Sequence, residues 1–90
     1  MIESFLHRGL RELFETGKSS RVPPDLRKRV MVRLNVLAAA RTLPELNQPG
    51  FRFHHLTGTN RYAMDVNGPW RITFEWQDGK AMRVDLEQYH

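Results

Sequence analysis

Trp70-Arg71-Ile72-Thr73-Phe74-Glu75-Trp76 places an aromatic or aliphatic side chain at every second position, with Arg, Thr or Glu between. A strict period of two belongs to a strand with one face on a core and the other in water. Turn residues bound the stretch, Asn67-Gly68-Pro69 before it and Asp78-Gly79 after it. Its neighbours repeat the pattern: Tyr62, Met64 and Val66 share one face of 61–66, and Met82, Val84 and Leu86 share one face of 80–87. Strands joined by loops this short pair antiparallel. Upstream, Phe51, Phe53 and His55 alternate with Arg52 and His54, which predicts a further strand over 51–57.

The loops fix an expected register. Across Asn67-Gly68-Pro69, keeping apolar side chains together sets Met64 opposite Ile72 and Tyr62 opposite Phe74. At the second hairpin, a two-residue Asp78-Gly79 turn would set Phe74 against Arg83 and Ile72 against Asp85, with charges on the apolar face. A three-residue loop, Gln77-Asp78-Gly79, instead pairs Phe74 with Met82, Ile72 with Val84 and Trp70 with Leu86. It also leaves Gly79 where a turn with a bulge wants a left-handed residue. That register is expected. It puts Arg71 between Asp65 and Asp85, Glu75 opposite Arg61, and Arg52, His54 and Arg83 on the polar side.

The first half of the chain follows a helical period. Residues 2–5 predict a short first strand. Residues 8–16 predict a helix with Leu10, Leu13 and Phe14 on one face, stopped by Gly17. A basic, polar loop spans 17–22. Pro23-Pro24-Asp25 then opens a second helix, since proline is tolerated and acid is favoured in a first turn. Leu26, Val30, Leu34, Leu37 and Ala38 form its apolar stripe, and it should run to about Arg41. Arg27, Lys28, Arg29 and Arg33 lie mostly off the stripe and read as a solvated basic face. Leu43 to Leu46 add a turn before Gln48-Pro49-Gly50. The expected fold class is α+β: one domain over 1–90, with a short N-terminal strand and two helices packed on one face of an antiparallel sheet.

Composition narrows the chemistry. The 90 residues are 40% apolar, enough for one core, and carry a formal net charge of +4. A pI near 10.1 favours nucleic acid or another acidic partner. The absence of cysteine removes disulfides and thiolate metal sites and fits a reducing cytosol. No signal-peptide h-region is expected, and no apolar run approaches a membrane span, so no membrane partner is expected.

His54 and His55 are adjacent on a presumed strand, so their side chains point apart and do not share a metal. No nucleophile elbow, P-loop or dinucleotide fingerprint is present. Neither metal nor cofactor is expected. What remains is acid–base chemistry at a phosphate. Histidine moves a proton near neutral pH, and arginine forks bind phosphate oxygens. His54, Arg71, Arg83 and His90 would form such a set, with Tyr89 stacking on a base or orienting a ribose. Each has a structural alternative: His54 as a surface histidine, Arg71 in an ion triad with Asp65 and Asp85, and Tyr89 as a core cap. The terminal His90 is the hardest to explain by packing.

The ordered set Ile2-Glu3-Ser4-Phe5, Leu13-Phe14-Glu15-Thr16-Gly17, Leu43-Pro44-Glu45-Leu46, Phe51 to Gly58, Val66 to Phe74 and terminal Tyr89-His90 resembles the HigB toxins of the RelE/ParE superfamily. The resemblance implies the RelE-like toxin fold, a bacterial cytoplasmic location and a ribosome-dependent endoribonuclease. Such enzymes cut mRNA in the decoding site through attack of the ribose 2′-hydroxyl, without metal. It implies a HigA-type helix-turn-helix antitoxin and, through it, operator DNA as partners. Carried over residue by residue, it makes His54, Arg71, Tyr89 and His90 catalytic. This chain departs from the common pattern at Thr57, where many members have lysine, and at Gln88, where many have aspartate. Arg52, Arg61, Lys80 and Arg83 stand as the RNA- and phosphate-binding cations. A catalytically weak homologue acting through its antitoxin, and a ParE-like gyrase inhibitor, are the alternative readings.

Overall fold

The alternating stretch becomes β3 (Trp70–Gln77) in a four-stranded antiparallel sheet, with β1 (His54–His55), β2 (Arg61–Asn67) and β4 (Lys80–Gln88) in the order β1-β2-β3-β4. The computed structural model describes residues 1–89, so the candidate His90 lies outside the described residues. Parity sorts the side chains as the period predicts. Met64, Val66, Ile72, Phe74, Val84 and Leu86 are buried on one face, against Leu10, Leu13, Leu26, Val30, Leu34 and Leu37 of the helical half. Phe74 is fully buried. Removing such a ring costs about 3–5 kcal/mol, because the site collapses only partly.

Two helices supply that cover. α1 (Arg8–Thr16) begins where the Leu10 backbone N–H donates to His7 Nδ1, and it ends at Gly17, whose φ of 80° permits the left-handed cap. The prolines shape the second helix differently from the expectation. Pro24–Leu26 forms a separate 3-10 turn, and α2 runs from Arg27 to Ala39 rather than to Arg41. Leu43–Leu46 is the expected extra turn, also 3-10. Glu45 accepts there from the backbone N–H groups of Thr42 and Arg41, which hold its carboxyl below the usual carboxylate range. No helix among the described residues is long and apolar enough to cross a membrane.

The β2–β3 register is the expected one, with Met64 opposite Ile72, Tyr62 opposite Phe74 and Arg61 opposite Glu75. The β3–β4 register is not. The hairpin closes on a two-residue turn whose Asp78 and Gly79 both have positive φ, as a type I′ turn requires. Trp76 therefore faces Ala81. The clash of charge with the apolar face is avoided further along. Glu75 pairs with Met82 but Thr73 pairs with Asp85, so Arg83 and Val84 together oppose Phe74. This is a β-bulge, and its extra residue, Arg83, sits at φ 53°. Beyond it Val84 and Leu86 face the core, and Arg71 lies opposite Glu87 rather than Asp85.

Two predicted strands shrink. Residues 2–5 make only two parallel bridges beside β4, Ile2 to Ala81 and Phe5 to Val84, interrupted where the bulge bends that edge. In the 51–57 segment only His54–His55 pairs, because Arg52 adopts φ 46° and turns the chain out of extended geometry. Arg33 also departs from expectation. It is buried, with Nε donating to Asp65 O (2.6 Å), Nη1 to Arg29 O (3.1 Å) and Nη2 to Gly50 O (3.3 Å). Its guanidinium lies 4.5 Å from the Phe51 ring centroid. Burial, with Arg29 nearby, lowers its pKa against the opposing pull of Asp65.

Candidate active site

The sheet face turned away from the helices gathers most of the sequence candidates. Opposed residues in an antiparallel ladder share a face. His54 opposes Ala63, Ala63 opposes Thr73, and Asp65 opposes Arg71, which opposes Glu87. His54, Asp65 and Arg71 therefore stand on the same side. With strands about 4.8 Å apart, His54 and Arg71 lie on the order of 10–12 Å apart at the backbone, a separation that long side chains span.

Tyr89 completes this group. Its backbone N–H donates to Pro69 O (2.8 Å), fixing the chain just past β4. Its hydroxyl donates to Asp65 Oδ1 at 2.6 Å. Between those two anchors the ring lies over Arg71, with the guanidinium carbon 4.4 Å from the centroid. The hydroxyl's bond to Asp65, with partial burial and the Asp65 charge, raises the Tyr89 pKa against the opposing effect of Arg71.

Among the described residues Arg71 is stacked rather than paired. Its Nε is buried and donates to nothing among the described residues. The carboxylates on either side are engaged elsewhere. Asp65 holds Tyr89 and, at 3.4 Å, Arg52. Glu87 accepts from the Thr73 hydroxyl. The alternative reading of Arg71 in an ion triad with Asp65 and Asp85 is thus not met: Glu87, not Asp85, lies opposite it. No carboxylate among the described residues pairs with the Arg71 guanidinium, which leaves it to pair with an anion on this face.

His54 lies two residues along the β2 ladder from Asp65 and contacts Arg52 O through Nδ1 at 2.7 Å. A carbonyl only accepts, so Nδ1 carries the proton and Nε2 keeps its lone pair when the ring is neutral. His55, on the other side of the strand, contacts Thr59 O and the Tyr62 ring.

The remaining cations divide by exposure. Arg61 is 18% exposed and ties strands together, with Nη1 on Glu75 (3.1 Å) and Nη2 donating to Thr73 Oγ1 (3.0 Å) and Arg83 O (2.9 Å). Arg83, 56% exposed, rests Nε on the same Glu75 oxygen at 3.1 Å. Arg52 is 80% exposed. Both exposed arginines sit at left-handed backbone positions, and each leans on one carboxylate. Lys80 is apart from them. It pairs with Gln77, six residues along β3 from Arg71, about 20 Å away. Thr57 lies exposed in the β1–β2 loop, and Gln88 is exposed opposite Trp70.

Sequence reasoning set Asp65 beside Arg71 but did not give it Tyr89 as a partner, because that bond depends on the Tyr89 hydroxyl reaching across from the end of β4. The surface can bind a phosphate through Arg71, with Arg52 held near it by Asp65 and the His54 imidazole on the same face; Arg83, resting on Glu75 four residues along β3, stands about 13 Å away. A family model described as the RelE-like toxin of the type II toxin–antitoxin system HigB matches residues 3–90. Endoribonuclease HigB of Proteus vulgaris is 38% identical over 92 residues, spanning the whole of both chains. Toxin HigB-1 of Vibrio cholerae serotype O1 is 30% identical over 93 residues, covering 99% of this chain and 98% of that one.

Proposed function

The chain belongs to the RelE-like HigB family of type II toxins, and from that premise we propose that it is an mRNA endoribonuclease whose active surface is the polar face of the sheet. The observation that carries the reading is Arg71: an arginine stacked against Tyr89, in no ion pair among the described residues, whose neighbouring carboxylates are both committed elsewhere. Such a group is ready for an anion, and the scissile phosphate is the anion of this reaction.

The steps follow from the side chains. His54 Nε2 takes the proton of a ribose 2′-hydroxyl, whose oxygen attacks the adjacent phosphorus. The bond from phosphorus to the 5′-oxygen breaks, leaving a 2′,3′-cyclic phosphate and a 5′-hydroxyl. Arg71 holds the phosphate oxygens as negative charge develops on them, with Arg52 at the flank and Arg83 farther along the sheet as an RNA-backbone contact. Tyr89 keeps its proton under the influence of Asp65 and acts as a stacking and orienting group. His90 is the acid that protonates the leaving oxygen, the role that remains once His54 is the base. Arg61 supports this surface by holding Glu75 and Thr73, and Lys80 serves RNA only far from the scissile bond.

A type II toxin has an antitoxin. A HigA-type helix-turn-helix protein fits that role, with operator DNA bound through it. We place cleavage on translated mRNA in the ribosomal decoding site. The name endoribonuclease on the Proteus vulgaris relative supports the activity. The test is a map of new RNA 5′ ends after a brief pulse of the chain without antitoxin, beside Arg71→Ala and His90→Ala. In-frame cuts inside translated regions, bearing 5′-hydroxyl ends and absent from both variants, are expected. A well-expressed parent chain that makes no cuts overturns the reading.

A further inference from the structure

Asp65 engages every polar group it has. Its backbone N–H donates to Phe51 O (2.7 Å), and its carbonyl accepts from the buried Arg33 Nε (2.6 Å). Oδ1 accepts from Tyr89 Oη at 2.6 Å, and Oδ2 faces Arg52 Nη1 at 3.4 Å. The main chain is thus fixed from the helical layer, while the carboxylate works on the opposite side of the sheet. A residue held at four points is a rigid post.

What it holds is the group above Arg71. Tyr89 follows the last strand and has two attachments, its N–H on Pro69 and its hydroxyl on Asp65. The first fixes where the chain passes, and the second fixes where the ring points. Without the second, the ring can rotate off the guanidinium that it covers at 4.4 Å. The same carboxylate also draws in Arg52, whose side chain is otherwise in solvent.

We infer that Asp65 is a positioning residue for RNA cleavage, acting through the Tyr89 hydroxyl to set the ring over Arg71 and through Oδ2 to hold Arg52 at the edge of the site. The inference rests on the polar face being the active surface. Asp65 touches no reacting atom. It presents the groups that do.

The test is a double-mutant cycle on the full chain, read as mRNA cleavage in a reconstituted translation reaction. Asp65→Ala lowers kcat roughly ten- to a hundredfold, the scale of a small misplacement at a reacting centre. Tyr89→Phe lowers it comparably. The double variant falls no further than the worse single one, because both changes remove the same bond. Asp65→Asn, whose amide oxygen still accepts, recovers part of the loss. A second readout follows the tyrosine directly. In a Tyr62→Phe background only Tyr89 titrates, and Asp65→Ala moves its phenolate midpoint down toward the ordinary tyrosine value. Full activity of Asp65→Ala, or a double variant whose loss is the product of the single losses, overturns the role. If Asp65→Ala fails to fold, the same cycle run with Asp65→Leu, which keeps the side-chain volume without an acceptor, decides. Unimpaired cleavage by Arg71→Ala and Tyr89→Ala would overturn the polar-face reading itself, whereas loss in those two with Asp65→Ala unaffected sinks only the positioning role.

Discussion

A buried donor left without an acceptor costs about 1–3 kcal/mol relative to one that is bonded, and among the described residues Arg71 Nε has no acceptor. The stacking of Arg71 on Tyr89 and the surplus of donors both depend on a flat, forked cation. Arg71→Lys should therefore fail nearly as badly as Arg71→Ala, with cleavage down about a hundred- to a thousandfold, because an ammonium neither stacks nor forks. Single-turnover cleavage rates check this, and a lysine variant near parental activity would contradict it. Tyr89 offers a pH test. Its pKa is raised in the folded chain, chiefly by its hydrogen bond to Asp65. The bond's contribution to stability is present below the ordinary tyrosine value and disappears as pH rises through the folded value. Tyr89→Phe lacks that contribution, so the stability gap between parent and variant should close with rising pH in the alkaline range. Urea midpoints of the two proteins, compared across that range, provide the check.

Among the elements, what was legible followed from pattern and what was not depended on single backbone angles. The alternation in 61–66 and 70–76 gave both strands and their mutual register, and with parity it gave the shared face of His54, Arg71 and Asp65. The β3–β4 register went wrong because an arginine, with no glycine or asparagine to mark it, takes the left-handed position of the bulge. A second arginine, Arg52, shortened the predicted 51–57 strand in the same way. Left-handed geometry disfavours any residue with a Cβ by about 1–2 kcal/mol. Arg83→Gly should then stabilise the fold by about 0.5–1 kcal/mol, offset only slightly by loss of its exposed pair with Glu75. Cleavage should fall only modestly, by the loss of one outlying cation from the proposed RNA surface. A variant that loses stability along with activity would show that the bulge is not strained.

At the scale of the whole molecule, Arg33 joins the layers. From α2 it reaches the carbonyls of Asp65 in β2 and Gly50 in the preceding loop, and its guanidinium lies on Phe51. A helical stripe cannot reveal this, since a charged residue off the stripe reads as solvated until the sheet and loop are placed beside it. Arg33→Ala leaves those carbonyls without their donor and should cost about 2–4 kcal/mol in chemical denaturation, a large share of the stability of a chain this size. Loss below about 1 kcal/mol would mean that the layers are held without it. In the proposed reading the sheet keeps two tasks on two faces, one for the core and one for RNA, and the Arg83 bulge lies on the strand that serves both. Counted along the ladder, Arg83 is one residue more than pairing requires. Deleting its codon would join Glu75–Met82 directly to Phe74–Val84 and leave every later side chain on its present face. The core would close around a regular hairpin, without the arginine or the bend that presents it. Stability and RNA contact would then part at a single codon, giving a chain that folds as before with one cation fewer on the face proposed to meet RNA.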